Sequence, residues 1–367
     1  MAHHRTKSNR AWAWIAVAVA LVTVILVIPR LWGGGLQLQE GVPTTPPASQ
    51  PAATGADLAS PTPVPTPTPT PQPQSLTIAA AGDVMCHSQQ YKDAYNAAED
   101  RYDFTSCFED VAPYIQQADL ALANFETTTA GAERGYSGYP NFNSPDSLVT
   151  ALKEAGFDVL TTANNHSLDT KFPGVTRTID VIRDHGLYQT GTYKDEKSYD
   201  DLLLIDVKGF KVAILAYTYG CNGMEPTLSS QQRAFAVRYL DMGTIRSDIV
   251  QARAQGAEIV LVCAHWGVEY QTQPSDVIRN QAQEILEAGA DVILGSHPHV
   301  LQPCKRLTVT REDGSTAECA VIYSLGNFIS GQRTKPRDCA ALYTLTFTRD
   351  ESGAPKLDGL EYLPTYE

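Results

Sequence analysis

Four mostly apolar runs in this chain lead into short polar strings, and that repeated pairing constrains the fold more than any other feature. Leu76 to Ala81 enters Gly82-Asp83-Val84-Met85, and Phe157 to Leu160 precedes Asn164-Asn165-His166-Ser167-Leu168-Asp169. Ile259 to Cys263 precedes His265-Trp266-Gly267-Val268-Glu269-Tyr270, and Val292 to Leu294 enters Gly295-Ser296-His297-Pro298-His299. Apolar runs this short read as buried strands of an α/β sheet. In open α/β sheets, ligands bind in the crevice outside the carboxyl ends of the strands. Polar side chains that follow successive strands are therefore expected to converge on one site.

Helical signals separate the strands. Ser144-Pro145-Asp146 reads as an N-cap, a Pro at the first helical position and an acid at the second, opening a helix that ends at Gly156. Val175 to Asp184, Ile245 to Ala254 and Ser275 to Ala288 are further predicted helices, with Gly186, Gly256 and Gly289 as stops. Lys208-Gly209 joins Leu202–Val207 to Lys211–Ala216 as a hairpin. Toward the end, Ala320 to Ser324, Ala341 to Phe347 and Leu357 to Tyr362 read as strands without intervening helices. The mixture predicts an α/β sandwich of two packed sheets with helices outside.

The N-terminal part has a different character. Residues 1–10 form a basic tail, and Ala11 to Ile28 is an almost unbroken apolar run bracketed by Arg10 and Arg30, with Trp12, Trp14 and Trp32 near its edges. Length and edge chemistry predict a transmembrane anchor over 11–32, favoured over a cleaved signal peptide because the sequence after it offers no convincing cleavage site. Arg5, Lys7 and Arg10 place the tail in the cytoplasm, so the expected location is the cell membrane, single-pass, with the C-terminal domain extracellular. Residues 33–74 are a Pro/Thr-rich linker, which cannot bury a core and favours extended polyproline II. Residues 75–367 are long enough for one large α/β domain or two small ones.

A formal charge of −13 argues against nucleic acid as a partner. An anionic polymer would equally need local positive charge, which bound cations could supply. The seven cysteines show no Cys-x-x-Cys pair, so zinc-ribbon and thioredoxin chemistry are unsupported. Cys304 and Cys319 flank a predicted hairpin turning at Glu312-Asp313-Gly314-Ser315 and are the first expected disulfide.

The site chemistry follows from residue types. His297-Pro298-His299 aims two imidazoles at neighbouring positions across a stiffened turn, and His265 follows the strand Ile259 to Cys263. Asp83 and Glu126, the latter in Asn124-Phe125-Glu126 after the run Leu120–Ala123, offer carboxylates, and Asn165 adds a neutral oxygen. Such mixed nitrogen and oxygen ligation fits first-row metals better than calcium or magnesium cages. His166 could protonate a leaving group, with Asp169 orienting it. Glu269 reads either as a partner that fixes an imidazole tautomer from outside the ligand set or as a plain solvated charge. Trp266 reads as a packing group.

Taken in order, these strings resemble the CapA family of capsule and poly-γ-glutamate biosynthesis proteins, adding Gln302 and Ser324-Leu-Gly-Asn327-Phe328 to the matches over about Leu76 to Ser330. That family is similar to the calcineurin-like metallophosphatases, so the resemblance implies a four-layer α/β sandwich (metallophosphatase-like) and a site for one or two divalent metal ions, with Mn, Fe or Zn expected. It implies metal ligation by Asp83, Glu126, Asn165, His265, His297 and His299, catalysis by His166 and Asp169, and support from Asn124, Glu269, Gln302 and Asn327. The superfamily's first motif is Asp-x-His, but the third residue here is Met85, so one metal position is weakened, lost or completed by His87. Two functions stay open at this level. One is a membrane-anchored hydrolase or transferase acting on a phosphoester or on an amide of an anionic capsule polymer. The other is a non-catalytic metal-binding assembly or export factor in a capsule synthase complex.

Overall fold

The computed structural model describes residues 75–366. The expected tail (1–10), membrane anchor (11–32) and linker (33–74) lie outside the described residues. Among the described residues no helix is long and apolar enough to cross a membrane.

Period-two alternation sets the layers, because successive side chains of a strand point to opposite faces. In β1 (Ser75–Val84), Leu76, Ile78 and Ala80 enter one core while Ala79 and Ala81 enter another. In β8 (Phe210–Thr218), Phe210, Val212 and Ile214 share the first of these cores, while Ala213, Leu215 and Tyr217 join a third. The first core thus contains inward faces of two sheets, which pack on each other. A one-residue slip would turn every inner Leu and Ile outward, at roughly 1.5–3 kcal/mol each, so register is strongly specified.

In one sheet β1 runs parallel to β4 (Leu120–Phe125), which continues through β5 (Val159–Thr161) to β6 (Tyr188–Thr190). On its other side β14 (Cys339–Arg349) and β15 (Pro355–Tyr366) are antiparallel, and the short β13 (Asn327–Ile329) pairs with the end of β1. The second sheet runs β11 (Cys304–Thr310), β12 (Thr316–Ile322), β10 (Val292–Ser296), β9 (Ile259–His265), β8 and β7 (Leu203–Val207). Its four central strands are parallel. A small hairpin, β2 (Tyr95–Asn96) with β3 (Arg101–Tyr102), stands apart.

Helices α2 (Ala112–Ile115), α3 (Ser147–Ala155) and α4 (Lys171–Asp184) contribute to the core on the outer face of the first sheet. Helices α6 (Met242–Ala254) and α7 (Asp276–Glu287) cover the second. Two short helices, α1 (Ser88–Asp93) and α5 (Glu196–Asp200), complete the set. The architecture is a mixed α/β fold with two facing sheets between helices.

Two local expectations are corrected. Helix α3 starts after Asp146, so Ser144 is not its cap: the Ser144 hydroxyl meets Thr127 Oγ1 at 2.5 Å, and Asp146 holds Arg177 at 2.7 and 2.8 Å. Cys304 and Cys319 are not bridged; all seven cysteines are free thiols. The hairpin turns where expected, but its register sets Cys304 opposite Ile322 and Cys319 opposite Leu307, which keeps the two sulfurs on different rungs.

Candidate metal centre

The parallel strands of both sheets end at the same pole, and their last residues supply the site. Asp83 is the penultimate residue of β1, Glu126 follows β4, Asn165 and His166 follow β5, His265 closes β9, and His297 and His299 follow β10. Two close approaches of backbone make this convergence possible. A Cβ on Gly82 would lie 2.0 Å from the Gly326 carbonyl oxygen, and one on Gly295 would lie 2.0 Å from that of Tyr323. Without side chains at these two positions, β1 and β10 both settle against the segment that leads into β13, where Asp83 N–H donates to Gly326 and Leu325 N–H to Gly295, each at 3.0 Å.

Ligating atoms of Asp83, Glu126 and His265 lie within 4.8 Å of one another, as do those of Glu126, His297 and His299. Glu126 belongs to both groups. It is fully buried, and burial followed by the Asp83 charge pushes its carboxyl well above the usual range. Burial and then the neighbouring His297 hold His265 well below the usual imidazole range; burial and then His299 lower His297 to about 4. These imidazoles are therefore neutral near pH 7, the state that ligates a cation. Two buried atoms, Glu126 Oε1 and His297 Nδ1, have no hydrogen-bond partner. Leaving a buried polar atom unpaired costs roughly 1–3 kcal/mol, and a coordinated cation would satisfy both. With carboxylate and imidazole donors together, the residues fit divalent metal.

A shell of amides holds the ligating groups in place. Asn124 donates to Asp83 at 2.8 Å and to Glu126 at 3.3 Å, and is itself fixed by Asn164. Ser296 Oγ lies 2.9 Å from His265 Nδ1, and Asn165 Oδ1 lies 2.9 Å from its Nε2. Asn327 Oδ1 meets His299 Nδ1 at 3.0 Å. His297 and His299 both have positive φ, 95° and 58°, a backbone conformation few non-glycine residues adopt. The backbone N–H of His297 reaches Asp83 Oδ2 at 3.3 Å.

His166 sits beside this cluster. Its Nδ1 is 2.8 Å from Asp169 Oδ2, which also accepts the Phe142 N–H at 2.7 Å, and the Phe142 ring meets the imidazole edge-on at 4.7 Å. Burial raises the Asp169 carboxyl although His166 pulls it down. Asp169 and the exposed cations Arg134 and Lys171 line a cleft of about 240 Å³.

Glu269 is exposed and hydrogen-bonds no imidazole among the described residues, the arrangement of a solvated charge; Ser296, Asn124 and Asn327 lie on the Nδ1 atoms of His265 and His299, and His297 Nδ1 stays without a partner. His87 is outside both ligand groups: its Nδ1 accepts the Gly331 N–H at 3.0 Å, and it caps α1. Gln302 reaches no imidazole either; it donates to the Gln271 carbonyl and so pins the loop after β9. Trp266 is buried, with its indole N–H on the Tyr323 carbonyl at 3.0 Å.

The described geometry meets a clear match. The family model described as bacterial capsule synthesis protein PGA_cap covers residues 77–332, which contain every residue of both ligand groups. The chain belongs to this family. It is 30% identical over 270 residues to the capsule biosynthesis protein CapA of Bacillus anthracis, covering 72% of this chain and 62% of that one. It is 28% identical over 281 residues to the PGA biosynthesis protein CapA of Bacillus subtilis, covering 72% and 66%. The match thus spans somewhat less than two thirds of the length of these relatives. In fold, the PGA_cap chain is similar to a Staphylococcus aureus protein assigned as a 5′-nucleotidase, with a TM-score of 0.51 at 15% identity, over 80% of this chain and 55% of that one.

Sequence reasoning missed Tyr219 and Asn222 in this PGA_cap site. Tyr219, half exposed, stacks on His265 at 6.3 Å and lies 4.7 Å from His297, while Asn222 accepts from Asn165 at 3.3 Å. Both follow β8, which ends in no string of ligand residues. The roles of Asn164 and Ser296 were present in the motifs but hidden, since orientation by an amide or hydroxyl leaves no spacing signal.

Proposed function

We propose that this chain is a membrane-anchored, extracellular member of the capsule and poly-γ-glutamate biosynthesis machinery whose site hydrolyses a phosphoester, or an amide of the anionic polymer. The observation that carries this reading is the buried, half-unpartnered Glu126 carboxylate shared by two three-residue ligand groups. Asp83, Glu126 and His265, with Asn165 alongside, would hold one divalent ion, and Glu126, His297 and His299 a second; Mn, Fe or Zn suits these donors. When bound, such ions supply Lewis acidity, polarising a phosphoryl or acyl oxygen and making water a better nucleophile. The chain's own groups do the remaining work. Asp169 and the Phe142 ring hold the His166 imidazole in one orientation, with Nε2 free to give a proton to the leaving group. Asn124 and Asn164 keep the carboxylates aimed without adding charge. The printed names of the Bacillus relatives support the capsule and polyglutamate context, and the apolar run at 11–32 supports the anchor.

The alternative, a non-catalytic assembly or export factor in a capsule synthase complex, shares the metal groups but does not use the His166–Asp169 pair. Metal analysis combined with hydrolysis of a generic aryl phosphate and of poly-γ-glutamate separates the two. His297→Ala is expected to lose metal, whereas His166→Ala keeps metal and lowers turnover by roughly 10²–10⁴, the usual contribution of general acid–base catalysis. Full metal and undiminished turnover in both variants would remove the site from the reading.

A further inference from the structure

One stretch of this acidic chain is dense in positive charge that no direct ion pair neutralises. Arg333, Lys335 and Arg337 fall within five residues of the loop between β13 and β14. Arg333 and Lys335 are exposed, and among the described residues none of the three forms an ion pair with a carboxylate. The adjacent acid, Asp338, is buried and accepts from the Cys339 thiol. Exposed acids nearby are Glu269, which shares Tyr270 with Arg337, and Asp93, which acts on Cys107 together with Arg333.

Contacts tie this loop to the metal centre at both ends. The Arg337 guanidinium lies 4.9 Å over the Tyr270 ring, whose centroid is 6.1 Å from that of His299. The Arg337 carbonyl accepts from Asn327 Nδ2, the same side chain that orients His299. At the other end Gly331 N–H donates to His87, which packs on Phe142, the ring that backs His166.

We infer that this loop is a docking strip for the polymer itself, a polyanion with closely repeated carboxylates, and that it feeds the polymer toward the metal centre. The inference rests on the proposed reading for what happens at that centre. Electrostatics favours this occupant. A chain of formal charge −13 repels a polyanion at long range, but screening confines that repulsion to about 8 Å at physiological salt. Close approach is then governed by local charge, and here the local charge is positive. A small phosphoester would need one cation, whereas a repeated carboxylate can meet several in succession.

The test uses the full chain loaded with metal and labelled poly-γ-glutamate of defined length at about 0.05 M salt. Arg333→Gln combined with Lys335→Gln should weaken binding about fourfold, two exposed ion pairs at roughly a factor of two each. Adding Arg337→Gln should raise the loss to about eightfold, and Arg337→Lys should leave it at fourfold. The differences should vanish near 1 M salt, where the screening length falls to about 3 Å. Metal content on the same samples should stay at the parent level, which separates loss of the strip from loss of the centre. If the parent holds no metal and turns nothing over, the hydrolase reading fails while the strip still stands on its binding data. Unchanged polymer affinity in the double variant, with unchanged unfolding temperature, would overturn the strip. So would a single-stranded DNA of equal charge that competes as well as the polymer.

Discussion

Replacing Glu126 by Gln sets stability and function against each other. In the metal-free protein the Glu126 carboxylate is fully buried, 3.6 Å from His265 Nε2 and 3.8 Å from His299 Nε2, with Oε1 unpartnered. An unpaired buried polar atom costs roughly 1–3 kcal/mol, and an amide of the same shape puts an N–H donor where Oε1 stood, facing the His299 Nε2 lone pair, while keeping an acceptor for Asn124. For a domain of this size, 1 kcal/mol moves the midpoint by about 2–4 °C. Metal-free Glu126→Gln should therefore melt about 2–12 °C above the metal-free parent. Metal reverses the order. At a free concentration a hundred times Kd, binding stabilises the folded state by about 2.7 kcal/mol, or about 5–10 °C, and the variant should lose most of that gain because both ligand groups contain Glu126. Thermal melts with chelator and with added Mn, Fe or Zn measure all four states. A metal-free variant that melts below the parent, yet still gains the full metal increment, would show that Glu126 braces the fold and holds no ion.

Three further outcomes follow from the same contacts. Gly295→Ala places a Cβ 2.0 Å from the Tyr323 carbonyl oxygen, so the end of β10 must move; a loss of about 1–3 kcal/mol together with reduced metal content is expected in melts and metal analysis. Asp169→Asn should keep metal and lower turnover, because it disturbs the atom that holds His166 Nδ1 and the Phe142 N–H, neither of which belongs to a ligand group; parallel loss of metal would place Asp169 in the ligand set instead. Denatured, unreduced protein should titrate with seven thiols per chain, Cys107 alone reacting readily in the folded state as the exposed one; fewer thiols would mean that a bridge forms.

The layers were legible because burial on both faces of a strand writes itself as an apolar run, and a ligand group after each run marks the strand's carboxyl end. Ile259–Cys263 and Val292–Leu294 are such runs, and both lie in the second sheet next to each other. Residues acting through one hydrogen bond were less legible. Ser144 looks like a cap in isolation, but the loop from Thr127 claims its hydroxyl. Glu269 looks like a partner for an imidazole, but Ser296 and Asn327, brought in from β10 and β13, take the Nδ1 atoms of His265 and His299 while Glu269 stays exposed. Tertiary competition decided both cases, and spacing along the chain carries no record of it.

Met85 shows the same logic at the metal centre. Where the resemblance implies an imidazole, this chain has a buried thioether, with the Met85 N–H committed to the Ile329 carbonyl at 2.8 Å. Such a loss would disable a site in which each ion depends on one indispensable histidine. Here the two ligand groups close without it, because Glu126 reaches into both and His297 and His299 supply two nitrogens to one. His87 cannot replace the missing ligand while its Nδ1 is held by the Gly331 N–H. Met85→His is therefore the substitution that weighs the departure. If it raises metal affinity, the native site is short of a donor by one; if metal content and turnover stay at the parent level, the two groups are sufficient as they stand and the departure at Met85 costs the site nothing.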